Sequence, residues 1–345
     1  MENKKWWIVG LVFCMACLLS FTNGFKIEYP YFVQPKNFAP PQYNFSKNRQ
    51  TEAGFKLGRK LFYDPILSRD NSISCASCHL QFTGFTHVDH DVSHGIEGRK
   101  GIRNASSLIN LAWNTSFHWD GGVNNLEVQA INPITHSMEM DNSLANVLKS
   151  LNQSQVYRAA FYKAFGDSTA TSQYLLKALA QFTVSLVSYN SKYDKYMRQE
   201  AGGDMTEQEL NGLKLFRTHC ASCHKEPLFT DFSFQNNGLP IDTFYKVLGR
   251  FRITQNPADS FKFKVPTLRN IEFSYPYMHD GRFKKLKEVM NHYANTETKN
   301  PSNLAKTLQN PLKFTPNDKK DVIAFLLTLS DSTFLYDTRF RYSAQ

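Results

Sequence analysis

Two short cysteine motifs carry the clearest chemistry in this sequence. Residues 75–79 and residues 220–224 both read Cys-Ala-Ser-Cys-His. Two thiols separated by two residues can each form a thioether with a vinyl group of haem, and the imidazole that follows can bind the iron. The sequence therefore predicts two covalently attached c-type haems. The attachment residues are Cys75, Cys78, Cys220 and Cys223, and the axial ligands of the two irons are His79 and His224.

Three other uses of these cysteines are alternatives. A disulfide framework is disfavoured because the two motifs hold only four cysteines in a chain of 345 residues, and each pair is local. A zinc site of four thiolates requires the pairs to meet, and it gives no role to the histidine that follows each pair. A redox-active dithiol of the thioredoxin type needs a βαβ setting, whereas the pattern around both motifs is helical.

The segments around the two motifs are related to each other, in the same order along the chain. Such an internal repeat predicts two related domains with one haem each. We expect a mainly all-α fold made of two cytochrome c-like domains, residues 51–200 and residues 201–345. The matching pairs are 58–62 with 212–216, 102–104 with 268–270, 118–122 with 278–282, and 126–128 with 286–289.

Apolar residues at helical spacing predict the helices that position the motifs. A long helix is expected over residues 172–197, at the end of the first domain. The next helix begins at a capping box formed by Thr206 and Glu209, and it leads to the second cysteine motif. A final helix is expected over residues 316–329.

The N-terminus has the pattern of a targeting segment. Residues 1–24 contain Lys4 and Lys5, then an apolar stretch, then small and polar residues, which is typical of a secretory signal peptide. We therefore expect export to the periplasm. The alternative is a lipoprotein signal, in which Cys17 would carry a lipid anchor. Residues 25–50 are rich in proline and predict an extended arm or linker.

The chain is basic, with a formal net charge of +10 at pH 7 and a sequence pI of about 9.2. Nucleic acid therefore has to be considered as a partner. The basic residues are spread along the chain and no nucleic-acid-binding motif occurs, so we expect no nucleic acid partner. Such a charge can instead steer an acidic partner protein toward the surface.

With these motifs the chain resembles the bacterial di-haem cytochrome c peroxidases and the related MauG enzymes, from about Leu57 to Leu329. The resemblance implies that hydrogen peroxide is reduced to water at the N-terminal haem. It also implies that the C-terminal haem receives electrons from a donor protein such as a small cytochrome c. The most specific matching stretches are 61–65, 103–104, 119–121, 127–130, Pro133, Glu139, 265–270 and 276–281.

The resemblance assigns three side chains to the reaction. Splitting the O–O bond of bound peroxide requires a proton to move from the inner to the outer oxygen, so a carboxyl group in a polar pocket is needed. By resemblance, Glu139 is the general acid and base, and Gln129 shares its pocket. Trp119 matches the aromatic residue between the two haems, a relay for electrons. Without the resemblance, a solvated helix face and core packing would explain these residues.

One departure from the family pattern concerns the loop before Arg103. In peroxidases of this family, a histidine of this loop blocks the peroxide-binding iron until the enzyme is reduced. That position is Ile96 here, although His87, His90 and His94 lie in the same loop. We therefore expect an N-terminal haem that is open to peroxide without prior reduction.

A second departure concerns the sixth ligand of the C-terminal haem. The position that is methionine in the peroxidases and tyrosine in MauG is Tyr293 here. A phenolate stabilises ferric iron and lowers the potential, whereas a thioether raises it. Met278, Met290 and His292 are nearby alternatives.

Asn104, Ser274 and Pro276 match positions that the family uses at a calcium ion between the domains. Oxygen donors suit calcium, and serine stands where a threonine is usual. The remaining histidines, including His118, are expected to be structural or at the surface.

Two alternative functions follow from the same residues. A MauG-like enzyme would use peroxide to oxidise a protein substrate or another substrate, and Tyr293 and Ile96 favour it. A non-catalytic di-haem electron carrier would need both irons to be capped, and Glu139 and Gln129 would then have no role in it.

Overall fold

Helices dominate the fold, as predicted. The structure, a computed structural model, describes residues 31–241, 247–295, 303–310 and 312–342. The predicted signal peptide, the candidate anchor Cys17 and the first residues of the arm lie outside the described residues. The chain from Tyr31 onward groups into one unit. In the described ranges, no helix combines the length and apolar character needed to cross a membrane.

We number the elements in chain order. Strands β1 (Phe234–Gln235) and β2 (Phe263–Lys264) pair antiparallel. The helices are α1 Glu52–Tyr63, α2 Cys75–Cys78, α3 Leu126–Gln129, α4 Ile131–Thr135, α5 Leu144–Gln153, α6 Gln155–Phe165, α7 Ser172–Thr183, α8 Lys192–Arg198, α9 Glu207–His219, α10 Phe251–Thr254, α11 Leu286–Ala294, α12 Pro316–Leu327 and α13 Ser332–Leu335.

The same helix pair occurs in both halves. Helix α1 packs on α7 in the first half, and α9 packs on α12 in the second. Each pair is close because of one glycine. A Cβ at Gly58 would lie 1.9 Å from the carbonyl oxygen of Ala178, and a Cβ at Gly212 would lie 1.9 Å from that of Asp321. The two glycines occupy equivalent positions before the two cysteine motifs, so the repeat in the sequence is also a repeat in packing.

The predicted start of α9 is confirmed. Thr206 accepts a hydrogen bond from the backbone N–H of Glu209, and the Glu209 carboxylate accepts one from the N–H of Thr206. The final helix also begins as predicted, with Thr315 as its cap and Pro316 in its first turn. These caps satisfy N–H groups that have no partner inside the helix.

The single long helix predicted over residues 172–197 is wrong. Helix α7 ends at Thr183, and α8 begins only at Lys192. The backbone N–H groups of residues 188–190, between the two helices, find their partners elsewhere in the chain. Asn110 accepts from the N–H of Ser188, and the Asp331 carboxylate accepts from the next two N–H groups. These distant side chains replace the hydrogen bonds that a continuous helix would have made.

The arm is packed against the rest of the fold over its described part, residues 31–50. Phe32, Phe38 and Phe45 are buried, and the Trp113 indole N–H donates to the carbonyl oxygen of Ala39 over 2.7 Å. Of the two expectations, an arm or a linker, these residues form an arm that packs on the fold. Their phenylalanines bury enough apolar surface to hold the proline-rich segment in place.

Candidate haem and peroxide site

Both motif histidines are oriented by a backbone carbonyl. The Nδ1 atom of His79 lies 2.9 Å from the carbonyl oxygen of Phe85, and that of His224 lies 3.1 Å from the carbonyl oxygen of Phe229. A carbonyl only accepts, so Nδ1 carries the proton and Nε2 is the atom that can bind iron. Burial lowers the pKa of His79 to about 4 and lowers that of His224 as well. Both imidazoles are therefore neutral at pH 7, as a metal ligand must be.

The four motif cysteines are unpaired thiols. Burial raises the pKa of Cys75 to about 12, of Cys78 to about 11 and of Cys220 to about 12. In the part of the chain that the structure describes, no group of three or more histidine, cysteine or acidic side chains could hold a metal ion. Within the described residues, the four cysteines thus form neither a disulfide nor part of a metal-ligand cluster.

A cavity of about 260 Å³ connects the second motif with residues of the first half. Cys220, Cys223 and His224 line it on one side, and Trp119 and Gln129 line it on the other. His118, which we expected to be structural or at the surface, lines it too.

Unpartnered polar atoms lie around the first motif. Within the described residues, every buried side-chain nitrogen or oxygen that lacks a hydrogen bond belongs to one of five residues: His87, His94, Arg103, Ser116 and His118. Buried polar groups are normally hydrogen-bonded, so these atoms call for a polar partner outside the polypeptide. A haem, with its carboxylate groups, is such a partner. These atoms therefore fit a haem at the first motif, and the cavity lined by Cys220, Cys223 and His224 fits one at the second.

Glu139 lies beside the first motif. Burial is the main cause of the raised pKa of Cys78, and the negative charge of Glu139 is the second cause. Burial also raises the pKa of Glu139 itself. The Ile96 N–H donates to the Glu139 carbonyl oxygen over 2.9 Å, and Ile96 is fully buried. The loop that carries Ile96 is thus held against Glu139. Glu139 does not line the cavity that Gln129 and Trp119 share.

Trp119 is fixed at both its ring and its backbone. Its indole N–H donates to the carbonyl oxygen of Asn104 over 2.8 Å, and its own carbonyl accepts from the N–H of Lys264 over 2.8 Å. Gln129, at the end of α3, faces the same cavity, and its backbone contacts the His118 ring. The structure thus brings Trp119 and Gln129 to one wall.

Four candidates for the sixth ligand at the second motif are now distinguishable. Tyr293 lines the cavity, and burial raises its pKa to about 12, with smaller contributions from the two thiols of the motif. Met278 also lines the cavity. Met290 lines the cavity as well and also packs in the hydrophobic core of the second half. His292 does not line it, and its Nε2 atom lies 2.9 Å from the carbonyl oxygen of Asn237. Tyr293, Met278 and Met290 are therefore better placed than His292.

Asn237 is a site residue that no sequence signal indicated. Its side-chain N–H lies 3.4 Å from the Met278 sulfur, and its side chain also hydrogen-bonds Tyr293. Its Oδ1 accepts from the N–H of Leu239, which fixes the orientation of the amide.

The candidate calcium residues converge in part. The Asn104 side-chain amide lies 2.6 Å from the carbonyl oxygen of Pro276. The same amide N–H group also lies 3.3 Å from the carbonyl oxygen of Met278. Ser274 and Pro276 both line the cavity.

Comparison with known proteins identifies the family. The family model for di-haem cytochrome c peroxidase matches residues 52–202, and the cytochrome c model matches residues 209–330. The cytochrome c551 peroxidase of Nitrosomonas europaea is 34% identical over 279 residues, which cover 80% of this chain and 79% of that protein. The chain belongs to the di-haem cytochrome c peroxidase family.

MauG proteins are similar to the same extent. MauG of Methylorubrum extorquens is 33% identical over 302 residues, or 86% of this chain and 83% of that protein. A solved structure of a MauG-like protein associated with microbial copper homeostasis aligns with a TM-score of 0.80 and 32% identity, and the alignment covers 89% of this chain and 97% of that one. This di-haem peroxidase is therefore an oxidoreductase with two c-type haems and two cytochrome c-like parts.

Proposed function

We propose that the protein reduces hydrogen peroxide to water at the haem of His79, with electrons that an external donor delivers through the haem of His224. The observation that carries this proposal is the buried carboxyl group of Glu139 beside the first cysteine motif. When bound, haem supplies an iron that binds peroxide and accepts and donates single electrons. The polypeptide has to move protons, orient peroxide and guide electrons.

Glu139 is the proton carrier in this proposal. Glu139 would accept a proton from one oxygen of peroxide and return it to the other, which would leave as water. Two electrons from the donor and two protons from solvent would convert the remaining oxygen to a second water. Burial raises the pKa of this carboxyl, so it exchanges protons nearer to neutral pH than an exposed glutamate does. Gln129 lines the neighbouring cavity together with Trp119, and its amide can donate to one oxygen of peroxide and accept from the other.

Trp119 is the proposed relay for electrons. Its ring lies in the wall of the cavity that begins at the second motif, and its hydrogen bond to Asn104 holds the ring in one orientation.

Tyr293 is the proposed sixth ligand at the second motif, because its hydroxyl group lies near both thiols there. A calcium ion held by Asn104, Pro276 and Ser274 would tie the two halves together beside this relay.

The proposal also includes export of the protein to the periplasm. Residues 1–24 would direct the chain to the periplasm, and Cys17 would anchor it only if the segment is a lipoprotein signal. A small cytochrome c is the proposed donor, because relatives are named cytochrome c551 peroxidases. The mass of the mature N-terminus separates cleavage near Phe25 from lipidation of Cys17.

A peroxide titration of the purified holoprotein, with and without a reduced cytochrome c, tests the function. Turnover that oxidises the cytochrome is the expected result. Slow turnover with a long-lived oxidised spectrum would instead favour a MauG-like enzyme that acts on another substrate. A protein that is inert to peroxide in both reactions would be an electron carrier, and the proposal would be wrong.

A further inference from the structure

Positive charge exceeds negative charge beside Trp119. The Arg103 guanidinium pairs with the Asp120 carboxylate over 2.8 Å, and both side chains are largely buried. The Lys264 ammonium group also lies here and donates to the carbonyl oxygen of Ser116 over 2.8 Å. In the described ranges no carboxylate lies within ion-pair distance of Lys264. Among the residues described, Asp120 pairs with Arg103, and no carboxylate forms an ion pair with Lys264.

A third cation strengthens this imbalance. Arg250 donates to the backbone carbonyl oxygen of Asp120 over 3.1 Å and stacks on the ring of Phe234. Burial lowers the pKa of Lys264 to about 8, while nearby Asp120 opposes that shift. Burial likewise lowers the pKa of His118, which makes this imidazole neutral at pH 7. A buried cation is costly unless an anion pairs with it.

The internal repeat provides a comparison for Arg103. Its counterpart in the second half is Arg269, which is fully buried and whose donors are bonded to protein. Arg269 makes two contacts of 2.8 Å with the Asp194 carboxylate, and it donates to the carbonyl oxygen of Pro227 through Nε over 2.9 Å and through Nη2 over 2.6 Å. In contrast, Nε and Nη2 of Arg103 are buried with no hydrogen-bond partner among the residues described.

The two unpartnered N–H groups of Arg103 call for an anion. His118 lies close enough to influence the pKa of His79, and Arg103 and Lys264 influence that of His118. Lys264 and His118 also line the cavity that reaches the second motif, whereas Arg103 does not, so the cations lie at the junction of the two motifs with Arg103 outside that cavity. A haem carries two propionate carboxylates on the edge opposite its thioether bonds. A propionate accepts several hydrogen bonds at once, which matches two N–H groups of a guanidinium and one ammonium group.

We propose that Arg103 and Lys264 bind a propionate carboxylate of the His79 haem and hold the reduction potential of this haem high. A nearby positive charge favours the ferrous over the ferric state, since the ferrous haem carries one positive charge less. The inference rests on haem attachment at residues 75–79, but it does not depend on Glu139 or on turnover.

The test is a spectroelectrochemical titration of both haems in the holoprotein. The variant Lys264→Met removes the charge and keeps the length of the side chain. We expect it to shift the ferric–ferrous equilibrium of the His79 haem about tenfold toward ferric, which is about 59 mV for one electron. The His224 haem should shift less. Lys264→Arg should restore most of the potential, because it restores the charge.

Two further variants act as controls. Lys262→Met removes a lysine two positions away that pairs with Asp259, and it should leave both potentials unchanged. Arg103→Lys keeps the charge but loses the two unpartnered N–H groups, so it should lower the potential less than Lys264→Met does. Circular dichroism and haem absorbance establish that each variant is folded and loaded.

Three outcomes would overturn the proposal. The potentials of Lys264→Met could equal those of the wild type, or the larger shift could fall on the His224 haem. The wild-type potential could also depend on the concentration of chloride or phosphate, and Lys264→Met could lose that dependence. Such a result would identify a free anion, rather than a propionate, as the group bound by Arg103 and Lys264. Peroxide turnover is measured in parallel, so failure of this proposal is distinguishable from failure of the proposed function.

Discussion

Glu139 is the residue on which the proposed chemistry depends most. Replacement of Glu139 by glutamine keeps the size of the side chain but removes its ability to carry a proton. We predict a fall in peroxide turnover of about 100- to 1000-fold with unchanged haem content, because general acid–base catalysis typically contributes this much. The rate of cytochrome oxidation after a peroxide pulse measures it.

The same carboxyl group predicts a pH dependence. Burial raises the pKa of Glu139, and the unprotonated form is the one that accepts the proton of peroxide. Turnover should therefore fall as the pH decreases through a value above that of an ordinary glutamate. The fall should be absent from Glu139→Gln and retained in Glu97→Gln, whose side chain is exposed and pairs with Arg69 and Arg99. A profile that is the same in both variants would contradict the role of Glu139.

The proposed role of Tyr293 as sixth ligand would set the potential of the second haem. We predict that Tyr293→Phe changes the optical and EPR spectra of the His224 haem, because its oxygen ligand is lost. Tyr293→Met should raise the potential of that haem, since a thioether favours ferrous iron. A matched control is Tyr277→Phe, which changes a tyrosine whose hydroxyl donates to the carbonyl oxygen of Ile271. Spectra of Tyr293→Phe identical to those of the wild type would assign the ligand to another residue.

Residues of the site differ in how far the sequence could predict them. The motif cysteines and histidines are adjacent in the chain, and their spacing alone implies their chemistry. Arg103 and Lys264 lie far apart in sequence, and only the fold brings both cations close to His118 and Asp120. Asn237 has no motif around it, and its importance comes from contacts with Met278 and Tyr293.

Among the elements, the loop with Ile96 is the one that we propose to control access to the first haem. Its backbone is bonded to Glu139, and the Ile96 side chain is fully buried. We predict that Ile96→His converts the oxidised protein to two low-spin haems and makes peroxide turnover depend on prior reduction. Ile96→Val should retain the wild-type EPR spectrum. Unchanged reactivity of Ile96→His with peroxide would show that this loop does not reach the iron.

The two glycine contacts between helices predict a stability effect. In Gly212→Ala the new methyl group would overlap the carbonyl oxygen of Asp321, so α9 and α12 must separate. We expect a loss of about 3 kcal/mol in the free energy of unfolding. Gly58→Ala should cost a similar amount, because α1 and α7 meet in the same way. Denaturant titration of the holoproteins measures both, and a change below about 0.5 kcal/mol would contradict the close contact.

Helix starts were easier to predict than the break within residues 172–197. The caps at Thr206 and Thr315 are local, because each side chain bonds a backbone group three residues away. The break after Thr183 depends on Asn110 and Asp331, which bond the backbone from distant parts of the chain. The apolar pattern of the sequence continues across the break. The pattern alone therefore could not show that the helix ends at Thr183.

At the scale of the whole molecule, the net charge of +10 bears on the electron donor. We predict that the rate of electron transfer from an acidic cytochrome falls steeply as salt is raised from about 0.01 to 0.2 M, because the Debye length shrinks from about 30 to below 10 Å. A basic cytochrome should be slow and show the opposite dependence. Stopped-flow mixing of reduced cytochrome with peroxide-treated enzyme measures both, and equal rates for the two donors would exclude steering by charge.

The central claim is that the protein holds two haems and that only the His79 haem is open to peroxide. The EPR spectrum of the oxidised holoprotein, recorded before and after addition of an equimolar amount of peroxide, tests this claim most directly. We predict one high-spin and one low-spin ferric signal of equal intensity, with the high-spin signal lost on addition of peroxide. Two low-spin signals that peroxide leaves unchanged would contradict the account.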